Sequence, residues 1–209
     1  MIGLAIHTSS PELGLALRDL EQTTERSQVW PLGRDLTAYL HACLGDFMQP
    51  YAWADLAYLA VAQGPGGFTG TRIGVVVART IAQQLQIPLF GVSSLAAIAQ
   101  HNLLTRSETA ESPPHLAVSL RAQRGEIFGA IYQMQPPAVV SVLPAALYAQ
   151  ADWEAQLAAW ATPHQHIAAE GGLAHAVDGV LSLAHQQWQA GDRPEWSTVL
   201  PFYGQHPVR

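Results

Sequence analysis

The sequence predicts an α/β protein in which a mixed sheet is flanked by helices and the chain divides into two lobes. Three observations carry that prediction. Short apolar runs of strand length alternate with longer segments whose apolar residues recur every three to four positions. Their order through the N-terminal half is strand, strand, strand, helix, strand, helix, strand, helix. Residues 105–114 then lose all apolar periodicity and carry two prolines, which separates an N-terminal lobe (1–105) from a smaller C-terminal lobe (115–209).

Each element follows from local chemistry. Residues 2–6 form an apolar run that stops at His7-Thr8-Ser9-Ser10-Pro11, and Gly14-Leu15-Ala16-Leu17 follows at once, which reads as a β-hairpin with a polar turn. His7 is therefore expected in the turn. Residues 25–29 give a third strand, and Leu36, Tyr39, Leu40, Cys43, Leu44 and Phe47 then recur at helical spacing. Residues 56–61 are a buried strand ending at Gly64-Pro65-Gly66-Gly67, with a long helix expected over about 70–85. Residues 88–92 make another strand, and Ser93-Ser94 is placed to cap a helix over 95–104. In the second lobe, residues 115–120 and 127–132 look like paired strands around Gly125, with 139–142 as a third. Alanine-rich helices at about 152–160 and 173–189 flank a short strand near Ile167.

Composition excludes several kinds of chemistry. All ten positive charges are arginine, so a P-loop lysine, a Schiff base and a lysine general base are ruled out. With a net charge of -6, bulk electrostatics would not attract a phosphate backbone, so autonomous nucleic-acid binding is not expected. Cys43 is the single cysteine, which excludes an intrachain disulfide and a cysteine-based metal site and suits a reducing cytoplasm. No basic leader and no run of 18 apolar residues is seen, so neither export nor a membrane span is expected.

The glycine loop is the strongest local signal. Gly64, Gly66, Gly67, Thr69 and Gly70 lie between a strand and a helix, where backbone N–H groups can meet a phosphate. The dinucleotide spacing would want glycine at 69, however, so a structural turn with Thr69 as N-cap is the preferred reading. Arg72 stands in the first helical turn, where the macrodipole disfavours a cation; it has either an acidic partner or a solvated head. Gly74, Ala78 and Ala82 form a small-residue stripe suited to packing on the sheet, while Ile73, Val76, Val77, Thr80 and Ile81 cover much of the remaining circumference. A helix apolar all round must be buried all round, and a partner chain is the favoured means. Nine histidines show no metal-ligand spacing, so no metal is expected, and Cys43 reads as a core thiol.

The segment 64–74 (Gly-Pro-Gly-Gly-Phe-Thr-Gly-Thr-Arg-Ile-Gly), continued by 87–95 (Ile-Pro-Leu-Phe-Gly-Val-Ser-Ser-Leu), resembles the TsaB (YeaZ) family. Residues 4–9 and Arg124-Gly125-Glu126-Ile127-Phe128 resemble it too, and the likeness is close over 1–100 and looser beyond. The resemblance implies duplicated ribonuclease-H-like lobes of the actin-like, Hsp70-like (ASKHA) fold. It also implies a subunit without catalytic residues or cofactor that binds TsaD as a heterodimer, joins TsaE in a larger complex and forms a homodimer when alone. Its role would be to support threonylcarbamoyl transfer to adenosine 37 of tRNAs decoding ANN codons, with tRNA met only through the complex. On the helix pattern described above, the candidate partner-interface residues are Arg72, Ile73, Val76, Val77, Thr80 and Ile81.

The chain departs from active relatives of that family at His7, where the resemblance leads one to expect a metal-holding aspartate. Arg121-Ala122-Gln123 stands for an expected Asp-Ala-Arg, and Pro201-Phe202-Tyr203 matches the family ending only in part. The main rival is an active actin-like ATPase or small-molecule kinase, suggested by Glu170-Gly171-Gly172-Leu173-Ala174, which is similar to an adenosine-side glycine turn. A peptidase is weaker, because no metal pair or Ser-His-Asp constellation can be placed.

Overall fold

The computed structural model describes residues 1–106 and 113–202, so residues 107–112 of the expected boundary and Tyr203 of the tail lie outside the described residues. The first sheet holds β1 (Ile2–His7), β2 (Leu13–Asp19), β3 (Glu25–Trp30), β4 (Leu56–Ala62) and β5 (Leu89–Val92), in the order β3-β2-β1-β4-β5. β1, β4 and β5 run parallel, and the β1-β2-β3 meander is antiparallel. The second sheet holds β6 (His115–Arg121), β7 (Glu126–Gln135), β8 (Ala138–Ala149) and β9 (His164–Ala169), in the order β8-β7-β6-β9. It repeats the first four-strand pattern: β6-β7-β8 is an antiparallel meander and β9 joins β6 in parallel. The result is two mixed sheets with one topology, each flanked by helices.

Alternation along the strands decides where the helices sit. Ile2, Leu4 and Ile6 face one side, where they pack with α1 (Leu36–Met48) and α2 (Phe68–Leu85). Ala5 and Ala16 face the other side, under Val177, Val180, Leu181 and Ala184 of α5 (Val177–Gln189). On the second sheet, Leu116, Val118 and Leu120 pack with Leu95 and Ala99 of α3 (Ser94–Thr105), and Ala117 packs with Trp153 of α4 (Gln150–Ala158). The helices thus cross the division between the sheets: α3 leaves the first sheet and covers the second, while α5 leaves the second and covers the first.

The α3–α5 crossing is close because Gly179 has no side chain, and a Cβ there would lie 2.2 Å from the Ala97 carbonyl oxygen. Gln100, fully buried on α3, donates to the Pro137 carbonyl (2.9 Å) and to Ser182 Oγ (3.0 Å) and accepts from the Val139 N–H (3.0 Å), so its amide is satisfied from three directions. Nearby, His101 Nδ1 lies 2.7 and 2.8 Å from the two Asp178 oxygens. That hydrogen bond raises the His101 pKa above its ordinary 6.5, against the lowering effect of burial. A raised folded pKa means the pair's contribution is fully present below pH 6.5 and fades as pH rises through the folded value. Stability of the wild type to urea should therefore fall as pH rises above 6.5, relative to Asp178→Asn. Equal pH slopes for the two proteins would remove the pair as the cause.

Several local expectations are corrected. α2 starts at Phe68, so Thr69 is its second residue and not its cap; Gly67 takes the N-cap position in an extended conformation and no side chain caps the helix. His7 closes β1 instead of lying in the turn and is completely buried. β8 runs on to Ala149, well past the 139–142 expected, because an edge strand tolerates Pro144. The segment from 173 opens as a 3-10 turn, Leu173–Ala176, before α5 begins. Ser93 holds the N-cap position of α3, without a side-chain cap bond.

Candidate functional site

The carboxyl ends of β1, β4 and β5 face the second half of the chain, and several contacts join the two. The Ala174 N–H donates to Ser10 Oγ (3.2 Å), and the Phe202 N–H donates to the Gln63 carbonyl (2.6 Å) just past β4. Glu170-Gly171-Gly172-Leu173-Ala174 stands at this seam, with Gly172 at φ +62° as the N-cap of the 3-10 turn. A ligand of an open α/β sheet would be sought at such a crevice.

Here the glycine loop lies directly on the chain that follows β1. The Gly67 N–H donates to the Ser9 carbonyl (2.7 Å), and Thr8 Oγ1 donates to the Gly70 carbonyl (2.8 Å). A Cβ on Gly66 would lie 2.2 Å from the Ser9 carbonyl oxygen, on Gly70 2.1 Å from that of Thr8, and on Gly74 2.1 Å from Thr8 Oγ1. Thr71 Oγ1 donates to the Gly67 carbonyl (2.9 Å), and Gly64, at φ +103°, faces the Phe202 carbonyl oxygen. The glycines therefore admit protein backbone at the distance where a phosphate cradle would admit its ligand. Thr69 is exposed on the outer side of the first turn.

His7 sits behind this contact. Burial pushes its pKa down to about 3, so the ring is neutral at any physiological pH. Its Nδ1 accepts weakly from the Ser9 N–H (3.4 Å), while the buried Nε2 has no partner among the described residues. A neutral imidazole cannot supply the charge with which a carboxylate holds a nucleotide-bound cation.

The second candidate surface is the outer side of α2. Ala78 and Ala82 are buried on the first sheet and Gly74 against Thr8 just beyond β1, with Thr71 and Val75 also buried. Val76 is 60% exposed and Thr80 is also exposed, with Ile73, Val77 and Ile81 half-buried at the margins. Between α1 and α2 lies a groove of about 570 Å³, floored by Leu44, Val77, Ile81 and Leu85 and rimmed by His41, Trp53 and Gln84. The apolar circumference is thus only partly covered by the described residues. Arg72 has no carboxylate partner among the described residues; its guanidinium lies 5.2 Å from the Phe68 ring centre, a cation–π contact.

The remaining reactive groups occupy structural places. Ser119 Oγ and His166 Nε2 are 2.8 Å apart across β6 and β9, beneath the Trp153 ring, and the paired Ser119 is buried in mid-strand. Cys43 is half-buried against the core of the first sheet. Among the described residues no three His, Cys, Asp or Glu side chains assemble as a metal site, and no helix is long and apolar enough to cross a membrane. Sequence reasoning placed the α2 residues but missed the opposite wall of the groove. Only the width of the apolar face of α1 hinted at His41 and Leu44, and nothing local marked Trp53, which reaches the rim from a 3-10 turn after α1.

Comparison with known proteins places this architecture among relatives. The family model described as "TsaD: tRNA N6-adenosine threonylcarbamoyltransferase" matches residues 47–181. A Bacillus subtilis protein named tRNA threonylcarbamoyladenosine biosynthesis protein TsaB is 34% identical over 155 residues, covering 72% of this chain and 63% of that protein. The Escherichia coli protein of the same name is 35% identical over 79 residues, covering 38% and 32%. The aligned region thus spans less than two thirds of these relatives' length. Among solved structures, YeaZ from Pseudomonas aeruginosa superposes with a TM-score of 0.78 at 24% identity, over 97% of this chain and 99% of that one. A likeness at that identity speaks for the fold alone.

Proposed function

Because the chain belongs to the family of the TsaD-type threonylcarbamoyltransferase model, and within it to the TsaB (YeaZ) group, we propose that it acts in threonylcarbamoyladenosine modification of tRNA as a non-catalytic scaffold that binds TsaD. The observation that carries this reading is the outer side of α2, where Val76 stands 60% exposed beside an apolar groove while the opposite stripe is fully buried. An apolar helix face left open by its own fold is a place for a partner chain. Arg72, Ile73, Val76, Val77, Thr80 and Ile81 form the partner side, and the glycine loop is structural. The threonylcarbamoyl transfer to adenosine 37 of tRNAs decoding ANN codons resides in TsaD. TsaE joins the same assembly, tRNA is met through the complex, and in the partner's absence the open face drives homodimerisation.

The direct test is co-expression with the TsaD protein of the same organism. A stable heterodimer on size exclusion, and modification of tRNA by the reconstituted complex that fails when this chain is omitted, is the expected result. Failure to co-purify, with modification unaffected by omission, would overturn the reading.

The same proposal separates this chain from its actin-like rival. With neutral His7 behind the glycine loop and Gly66 and Gly70 packed on the Ser9 and Thr8 carbonyls, purified protein with Mg²⁺ and ATP should release no phosphate above a heat-killed control. Turnover above that control, abolished by Thr8→Ala or Ser9→Ala, would favour an active nucleotide enzyme.

A further inference from the structure

The exposed side of α2 has two unlike flanks. On one lies the uncharged groove toward α1. On the other, Arg72 and Arg79 fall on one stripe with Val76, at spacings of four and three residues that repeat along a helix surface. Seven residues at 1.5 Å each set the Cα atoms of the two arginines about 10 Å apart along the axis. Each is held by an aromatic ring: Arg72 lies over Phe68 at 5.2 Å, and Arg79 over Trp196 at 5.6 Å, where the C-terminal segment crosses α2. Neither makes an ion pair or a hydrogen bond among the described residues. Ring stacking orients a guanidinium and leaves its in-plane N–H donors unused.

From this arrangement we infer that Arg72 and Arg79 are a charge-recognition edge of the α2 face, built for a partner protein that presents a pair of carboxylates, one for each arginine, beside an apolar ridge. The inference rests on the partner reading above and adds what that partner must carry. A protein is favoured over RNA because Val76 and the groove offer an apolar surface that a phosphate backbone cannot fill. Bidentate pairing of a guanidinium with a carboxylate is directional, so the two arginines select the orientation of the partner while the groove supplies buried area. A second copy of this chain is the competing occupant of the groove, and self-association in the test distinguishes it.

The test measures binding of the wild type, Arg72→Glu, Arg79→Glu, the double Glu variant and the double Gln variant to the TsaD protein of the same organism. Binding is followed at about 50 and 500 mM salt, with self-association and tRNA binding followed alongside. Thermal melting should show all variants folded, because both side chains lie at the surface edge of the helix. Each Glu variant should weaken the heterodimer at least tenfold at low salt, and the double Gln variant by less, with a flattened salt dependence. Self-association should change little. If the wild type binds and the double Glu and Gln variants bind within twofold of it, the charge edge is refuted while the scaffold reading stands. If the wild type does not bind, both fall. Loss confined to tRNA binding would assign the arginines to phosphates and also overturn the inference.

Discussion

Ala78→Glu is expected to leave no cooperatively folded protein at room temperature, while Val76→Glu, two positions away on the same helix, should fold normally and lose its partner. Ala78 is completely buried, in the stripe that packs on Ile2, Leu4, Ile6 and Val61 of the first sheet. An ionised carboxylate there would have no partner, and desolvating it costs several kcal/mol, a large part of the roughly 5–15 kcal/mol that holds a typical domain together. Burial would also drive its pKa up, and even the neutral acid would be too large for a site shaped for a methyl group. Val76 is 60% exposed, so in the free subunit the same carboxylate stays in water. Under a docked helix it would be stripped of that water, and each 1.4 kcal/mol lost is a tenfold fall in affinity. Thr80→Arg should act like Val76→Glu. Thermal melting of each variant alone, paired with a pull-down against TsaD, separates the two effects. Were Val76→Glu to melt like Ala78→Glu, or to bind normally, the division of α2 into an inner and an outer side would be wrong.

That division was legible in the sequence because small residues spaced by four can only mean a close approach along one stripe, and the structure buries Gly74, Ala78 and Ala82 on it. The strands of the first sheet were equally plain, being short apolar runs cut by polar turns. What local pattern could not reveal is where an element goes after it forms. The apolar stripe of α5 predicts a buried helix, but nothing in it says that Val177, Val180 and Leu181 cover the sheet of the other half of the chain. The pairing of Arg79 with Trp196 is hidden for the same reason. At the glycine loop the error was one of competition: Thr69 is a good cap residue, yet the Gly67 N–H is held by the Ser9 carbonyl, so the helix starts earlier and the threonine falls inside it. The burial of His7, unremarkable as a turn residue, follows from the same packing of the glycine loop on the chain after β1.

Gly70→Ala and Gly66→Ala should each destabilise the protein by about 3 kcal/mol or more, whereas Gly67→Ala should be neutral or slightly stabilising. Gly70 and Gly74 on α2, and Gly66 in the loop just before it, all meet the chain after β1 instead of the sheet. A methyl group on Gly70 would stand 2.1 Å from the Thr8 carbonyl oxygen, and one on Gly66 2.2 Å from that of Ser9. Both obstacles are backbone and cannot swing aside, so the loop must part from β1, taking with it the hydrogen bond from Thr8 Oγ1 to the Gly70 carbonyl. That bond alone is worth about 1 kcal/mol. Gly67 differs because its Cβ would stand 3.6 Å from the Ser9 carbonyl oxygen and its φ of -61° suits any residue. Alanine there would only reduce the freedom of the unfolded chain. Urea unfolding in the absence of any ligand is the measurement. A phosphate cradle would be open when empty and would accept all three alanines without loss of stability, so three unperturbed denaturation midpoints would mean that the glycines serve a ligand and not the approach of backbone to backbone.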